Sequence, residues 1–103
     1  MTNFLAHYAL TRRLLDSKDV DTRALRVVNV TSGSYGENAL HFDDMGCDER
    51  SYSIYGSYGE SKLALLMFSL SLTQHMPHHI TGNFDDVVSI AVHPGIDEND
   101  SFE

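Results

Sequence analysis

The sequence predicts an α/β domain with parallel strands, in the order helix, strand, helix, strand. Three observations predict it. Residues 25–30 and 87–92 are short β-branched runs that read as buried strands. Between them, from 55 to 75, the pattern is helical and apolar nearly all round. A strand–helix–strand unit crosses over right-handed and sets its two strands parallel.

Each element has its own justification. Phe4, Leu5, Tyr8, Leu14 and Leu15 recur at helical spacing, so a helix is expected over 2–17. Arg12 and Arg13 fall in its C-terminal half, where the helix dipole favours cations. Residues 17–23 form a mostly polar link, and strand 25–30 runs into Thr31-Ser32-Gly33-Ser34-Tyr35-Gly36, a loop by its Gly and Ser content. Residues 37–54 are an acid-rich excursion with little periodicity, of a length that tends to be functional or mobile. Ala64, Leu65, Leu66, Met67, Phe68, Leu70 and Leu72 make the second helix apolar on several sides, and Pro77 is expected to stop it. His93-Pro94-Gly95 follows the second strand, and 97–103 is an acidic tail.

Bulk properties exclude some functions. A chain of 103 residues makes one small domain, and 42% hydrophobic content is that of a globular protein. A net charge of −8 argues against nucleic acid as a partner. Residues 35–103 carry only Arg50 and Lys62 against twelve acids, which reads as a solvated acidic surface. The lone Cys47 rules out an internal disulfide and fits a reducing compartment. No secretory leader opens the chain, and the apolar run 63–72 is about half the length a bilayer requires. A cytoplasmic, intracellular location is therefore expected, with room for a membrane anchor in a longer form. His75, His78 and His79 read as a solvated helix end rather than a metal site.

The chemistry-bearing feature is Tyr58-Gly59-Glu60-Ser61-Lys62. Positions i and i+4 share a helix face, so phenol and ammonium can address one substrate. An ammonium beside a phenol favours the phenolate, and one unit charge at ~4 Å in a partly wet site is worth about 4 kcal/mol. In parallel sheets ligands sit at the carboxyl ends of the strands. Ser32 follows the first strand, Pro94-Gly95 follows the second, and Tyr58 lies near the start of the connecting helix, so all three converge on one edge. Singly, Ser32 or Ser34 would be a turn serine, Asn3 a helix cap, and Pro94-Gly95 a plain turn.

Together and in order, these blocks resemble the short-chain dehydrogenase/reductase family, in its retinol-dehydrogenase-like and WW-domain-oxidoreductase-like branch. The blocks are Asn3-Phe4-Leu5-Ala6-His7-Tyr8, Arg26-Val27-Val28-Asn29-Val30-Thr31-Ser32, His41-Phe42-Asp43-Asp44-Met45, Tyr58-Gly59-Glu60-Ser61-Lys62-Leu63-Ala64 and Val92-His93-Pro94-Gly95. The resemblance implies a partial Rossmann-like, doubly wound parallel sheet. It implies hydride transfer between NAD or NADP and a small-molecule alcohol or carbonyl, with retinoid, steroid or other lipid-like substrates as analogy only. Carried over by motif, Tyr58 is the general acid/base. Lys62 favours its phenolate and holds the nicotinamide ribose. Ser32 hydrogen-bonds the substrate oxygen, Asn3 positions the lysine through a water, and Pro94, Gly95 and Ile96 line the nicotinamide. The family also suggests a homodimer through helices 2–17 and 55–75.

The chain departs from that pattern. Gly33, Gly36 and Gly46 do not form the Gly-rich turn that meets a pyrophosphate, and the Asn-Asn-Ala-Gly motif is missing. After Pro94-Gly95, Asn99 stands near the position where the family carries a threonine. Residues 1–96 thus look like the central, catalytic part of a dehydrogenase of about 250–350 residues, lacking the N-terminal cofactor-binding half. Such a piece leaves apolar surface exposed, which predicts pairing or aggregation. Two other readings stand beside it. One is a non-catalytic interaction fragment that docks on a full-length relative. The other, a serine hydrolase, lacks a Gly-x-Ser-x-Gly elbow around Ser32 or Ser34.

Overall fold

A computed structural model describes residues 2–21, 25–33, 39–79 and 87–95, with the backbone alone for 75–79. Ser34, Ile96, Asn99, the tail 97–103 and the side chains of His75, His78 and His79 lie outside the described residues. The elements are α1 (Leu5–Asp16), β1 (Arg26–Val30), α2 (Ile54–His79) and β2 (Val88–Val92). The predicted order holds, and β1 pairs with β2 in parallel, from Arg26 opposite Val88 to Val30 opposite Val92.

Alternation along each strand divides the sheet into two unlike faces. Val27, Asn29, Ser89 and Ala91 are buried or half-buried, and this side meets α2. The polar members of that face are paired with the helix. Asn29 Nδ2 donates to Ser69 Oγ at 2.8 Å, and Ser89 Oγ donates to the Ser69 carbonyl at 3.1 Å. A buried amide without such a partner would be costly.

The opposite face corrects one expectation. The strands are not buried on both sides: Val28 is 54% exposed, Val30 50%, Val88 40% and Ile90 38%. A β-branched run signals a strand that suits two covered faces, but the described residues supply a helix for only one of them.

α1 lies against α2 through aromatic rings. Phe4 and Tyr8 both meet Phe68 edge-on, at centroid distances of 6.3 and 5.3 Å. Leu15, Phe68 and Leu72 form the buried cluster, joined by Phe4, Leu25, Val27 and Val87. The outer side of α1 is apolar and open at Leu5, Leu10 and Leu14. Likewise α2 leaves Met67 and Leu70 exposed, so its all-round apolar character is only partly used within the described chain.

A second correction concerns Pro77, which does not stop the helix; α2 runs on to His79. Proline holds φ at a helical value and removes one hydrogen bond, here to the carbonyl of Thr73, in the final turn. Leu65 is the largest fully buried side chain among the described residues, at 2% exposure. Leu65→Ala should therefore cost about 3 kcal/mol, read as a lower urea midpoint with an unchanged slope.

Candidate functional site

In-register pairing sends the loops after β1 and β2 out of the same sheet edge, because Val30 sits opposite Val92. Thr31 locks these loops together. Its N–H and its hydroxyl both donate to the Val92 carbonyl, at 2.8 and 3.0 Å. Ser32 follows, half-buried. On the other loop Gly95 donates its N–H to His93 Nδ1 at 2.8 Å and adopts φ +87°, a value that favours glycine. Gly33 lets the His93 ring pack close: a β-carbon there would lie 2.6 Å from His93 Nε2 and would push that exposed ring aside.

α2 brings its N-terminal turns to this edge. Ser53 caps the helix, its hydroxyl accepting the Gly56 N–H at 3.2 Å. One turn further in, Tyr58 and Lys62 share a face, with the Lys62 ammonium 5.6 Å from the centre of the Tyr58 ring. Lys62 Nζ also donates to the carbonyl of Val30, the last residue of β1, at 3.1 Å. The structure thus brings phenol, ammonium and the end of the Ser32 strand to one rim. Pro94 and Gly95 stand exposed on the neighbouring loop.

Asn3 does not cap α1; no side chain caps that helix. It donates instead to Ser61 Oγ at 3.3 Å, and Ser61 in turn donates to the Tyr58 carbonyl at 2.7 Å. Asn3 therefore contacts α2 at the residue preceding Lys62.

A second constellation escaped the sequence reading. Glu60, between Tyr58 and Lys62, is buried at 8% exposure. Its Oε1 accepts the His41 N–H at 3.0 Å, and its Oε2 accepts Arg50 Nη2 at 2.7 Å. Arg50 Nη1 meets His41 Nδ1 at 2.6 Å, which makes that ring nitrogen the acceptor. Asp44 organises the rest of the excursion, its carboxylate accepting the N–H groups of Asp48, Glu49 and Arg50 at 2.7, 3.4 and 3.0 Å. Arg50 Nε lies 3.6 Å from Asp44 Oδ2 without a hydrogen bond. The acid-rich excursion is thus fastened to α2 rather than loose. One signal could have found it: Arg50 is the only cation between Arg26 and Lys62.

The electrostatics follow from this geometry. Burial pushes the Glu60 carboxyl up, but the His41 N–H and the Arg50 guanidinium outweigh it and hold the group below its ordinary value. At Asp44, burial is likewise outweighed by the backbone N–H groups of Arg50, Asp48 and Glu49 and by the Arg50 charge. The Glu60 hydrogen bond, against some burial, raises the Arg50 guanidinium above its ordinary value.

The excursion, residues 2–4 ahead of α1 and the first turns of α2 line an open cavity of about 440 Å³, whose walls include Asn3, Phe4, Met45, Cys47, Tyr52 and Tyr58. Among the described residues no cluster of His, Cys, Asp and Glu could hold a metal ion, and no helix is long and apolar enough to cross a membrane.

Comparison with known proteins gives a consistent set of relatives. The chain is 36% identical over 94 residues to retinol dehydrogenase 12 of Mus musculus, covering 91% of this chain and 27% of that protein. It is 32% identical over 104 residues to polyprenol dehydrogenase of Homo sapiens, covering 98% and 30%. It is 30% identical over 94 residues to retinol dehydrogenase 13 of Mus musculus, covering 91% and 26%. The chain therefore spans less than a third of the length of these relatives. No family model matches it, and no solved structure matches it significantly.

The depressed carboxylates carry a pH signature. A group whose folded pKa is lowered adds stability above its unfolded value, near 4.5 for Glu60, and that stability is lost as pH falls through the lower folded value. Glu60→Gln should cost about 2 kcal/mol at pH 7, the scale of a charge-assisted hydrogen bond. The gap between the variant and the parent should close as the pH falls below 4.5, measured by urea unfolding at each pH.

Proposed function

The chain belongs to the short-chain dehydrogenase/reductase family, and from that premise we propose that it is the catalytic segment of an NAD(P)-dependent oxidoreductase that interconverts an alcohol and a carbonyl. One observation supports this reading above the others: the Lys62 ammonium lies over Tyr58 and on the last carbonyl of β1.

In the alcohol-to-carbonyl direction Tyr58 is the group that accepts the hydroxyl proton of the substrate. Lys62 brings a positive charge beside the Tyr58 ring, and the Val30 carbonyl holds the ammonium in place. Ser32 donates a hydrogen bond to the substrate oxygen and offsets the charge that grows there. Asn3, through Ser61, steadies the helical turn that carries Tyr58 and Lys62. The bound nicotinamide supplies the hydride acceptor, and the donor in the reverse direction.

The residues present fit one end of a dinucleotide. Lys62 offers donors for the ribose, and Gly95 has open space around it, with nothing within 4 Å of an added β-carbon. Ile96 belongs to the same proposal by its place after Gly95. The pyrophosphate end has no matching Gly-rich turn in this sequence. Residues 1–96 are accordingly proposed as part of a dinucleotide-binding domain, with 97–103 as a tail. An intracellular setting suits the free Cys47.

A second reading is a non-catalytic segment that docks on a full-length relative or pairs through α1 and α2. The exposed Leu5, Leu10, Met67 and Leu70 favour it.

Two measurements test the proposal. At full native length, Tyr58→Phe should lower kcat by about 100- to 10,000-fold, the range of general acid–base catalysis, while cofactor fluorescence still reports binding. Undiminished turnover in that variant would remove Tyr58 from the chemistry. The 103-residue chain alone, titrated with NADH or NADPH, should show neither micromolar binding nor turnover; finding both would overturn the argument from the missing glycine turn.

A further inference from the structure

Two sets of contacts meet at Tyr58. On one side stand Lys62 and the sheet edge. On the other is the 440 Å³ cavity, one of whose walls is the excursion itself, at Met45, Gly46, Cys47 and Tyr52. That wall has no strand or helix to hold it. It is held by side chains: Asp44 gathers three backbone N–H groups within the loop, and Glu60 anchors the loop to α2 through the His41 N–H and Arg50.

We propose that Glu60 and Arg50 are positioning residues that fasten the 41–52 segment as a specificity wall, limiting the bulk of substrate admitted beside Tyr58. The proposal rests on the oxidoreductase reading for its consequence, but not for the clamp itself.

The position of Glu60 makes it suited to this task. It is two residues from Tyr58 and two from Lys62, on the turn between them. Its carboxylate points away from the rim, into the excursion, and both of its oxygens are used there. The fastening also reaches the loop at two separated points, His41 and Arg50, which are joined to each other by the Arg50–His41 contact at 2.6 Å. Loosening Glu60 frees both points at once. The wall presents thioether, thiol and phenol groups in Met45, Cys47 and Tyr52, opposite Phe4 and Tyr58, so it selects by apolar shape rather than by charge.

Cys47 is a built-in reporter, a free and half-buried thiol on that wall. In Glu60→Gln and in Arg50→Met, labelling of Cys47 by a maleimide should accelerate at least about tenfold, with far-UV circular dichroism confirming retained helix. The exchanged pair, Glu60→Arg with Arg50→Glu, restores the ion pair but not the acceptor for the His41 N–H, so it should slow labelling only in part, and Arg50→Lys should fall between the parent and Arg50→Met. In the protein at full native length, Arg50→Met should lower KM for a bulky apolar alcohol relative to a short one and leave kcat for the short one within about twofold. Unchanged Cys47 labelling would overturn the clamp, whatever the protein catalyses. Faster labelling with an unaltered KM ratio would overturn the specificity role. If the parent protein oxidises no alcohol at all, the oxidoreductase reading fails while the labelling result still decides the clamp.

Discussion

α2 meets both strands, α1 and the excursion, and it does so with different faces of one 26-residue helix. Ser69 takes the buried Asn29 amide and a hydroxyl from β2. Phe68 receives the rings of α1. Glu60 anchors the excursion, Ser61 receives Asn3, and Lys62 reaches the end of β1. A helix that serves so many neighbours has little freedom to rotate. A turn of one residue position, about 100°, would break the sheet contacts and the rim contacts together. The position of Tyr58 is therefore a consequence of core packing several turns away.

The two cations of the acidic stretch are used differently: Arg50 takes up Glu60 and lies beside Asp44, while Asp43, Asp48 and Glu49 remain exposed. Lys62 sits at the sheet edge, where it faces a carbonyl dipole and a phenol ring. Arg50 sits in the excursion, where it satisfies a buried carboxylate and a ring nitrogen. Each is a single positive charge among many acids, and each has polar or aromatic groups of the fold around it. Arginine suits the second place because its planar fork can serve two acceptors at once.

The apolar surfaces have a related logic. The outer sheet face at Val28, Val30, Val88 and Ile90 and the outer side of α1 have compositions fit for a covered position. Less than a third of the length of the relatives is present in this chain. A two-stranded sheet with one covered face is marginal in water by itself.

Element type and order were legible in the amino-acid sequence because they depend on local periodicity: β-branched runs, an apolar helix pattern, and Gly, Pro and Ser punctuation. The Tyr58–Lys62 pairing was legible for the same reason, since i and i+4 share a helix face whatever surrounds them. Tertiary structure alone decided the partners. That Lys62 meets Val30, that Asn3 goes to Ser61 instead of capping its helix, and that Glu60 is buried and bound to Arg50 all depend on which groups the packed fold brings together. A charge in a sequence does not say whether it faces water or a single counter-charge, because only the packed fold sets the local dielectric and the distance.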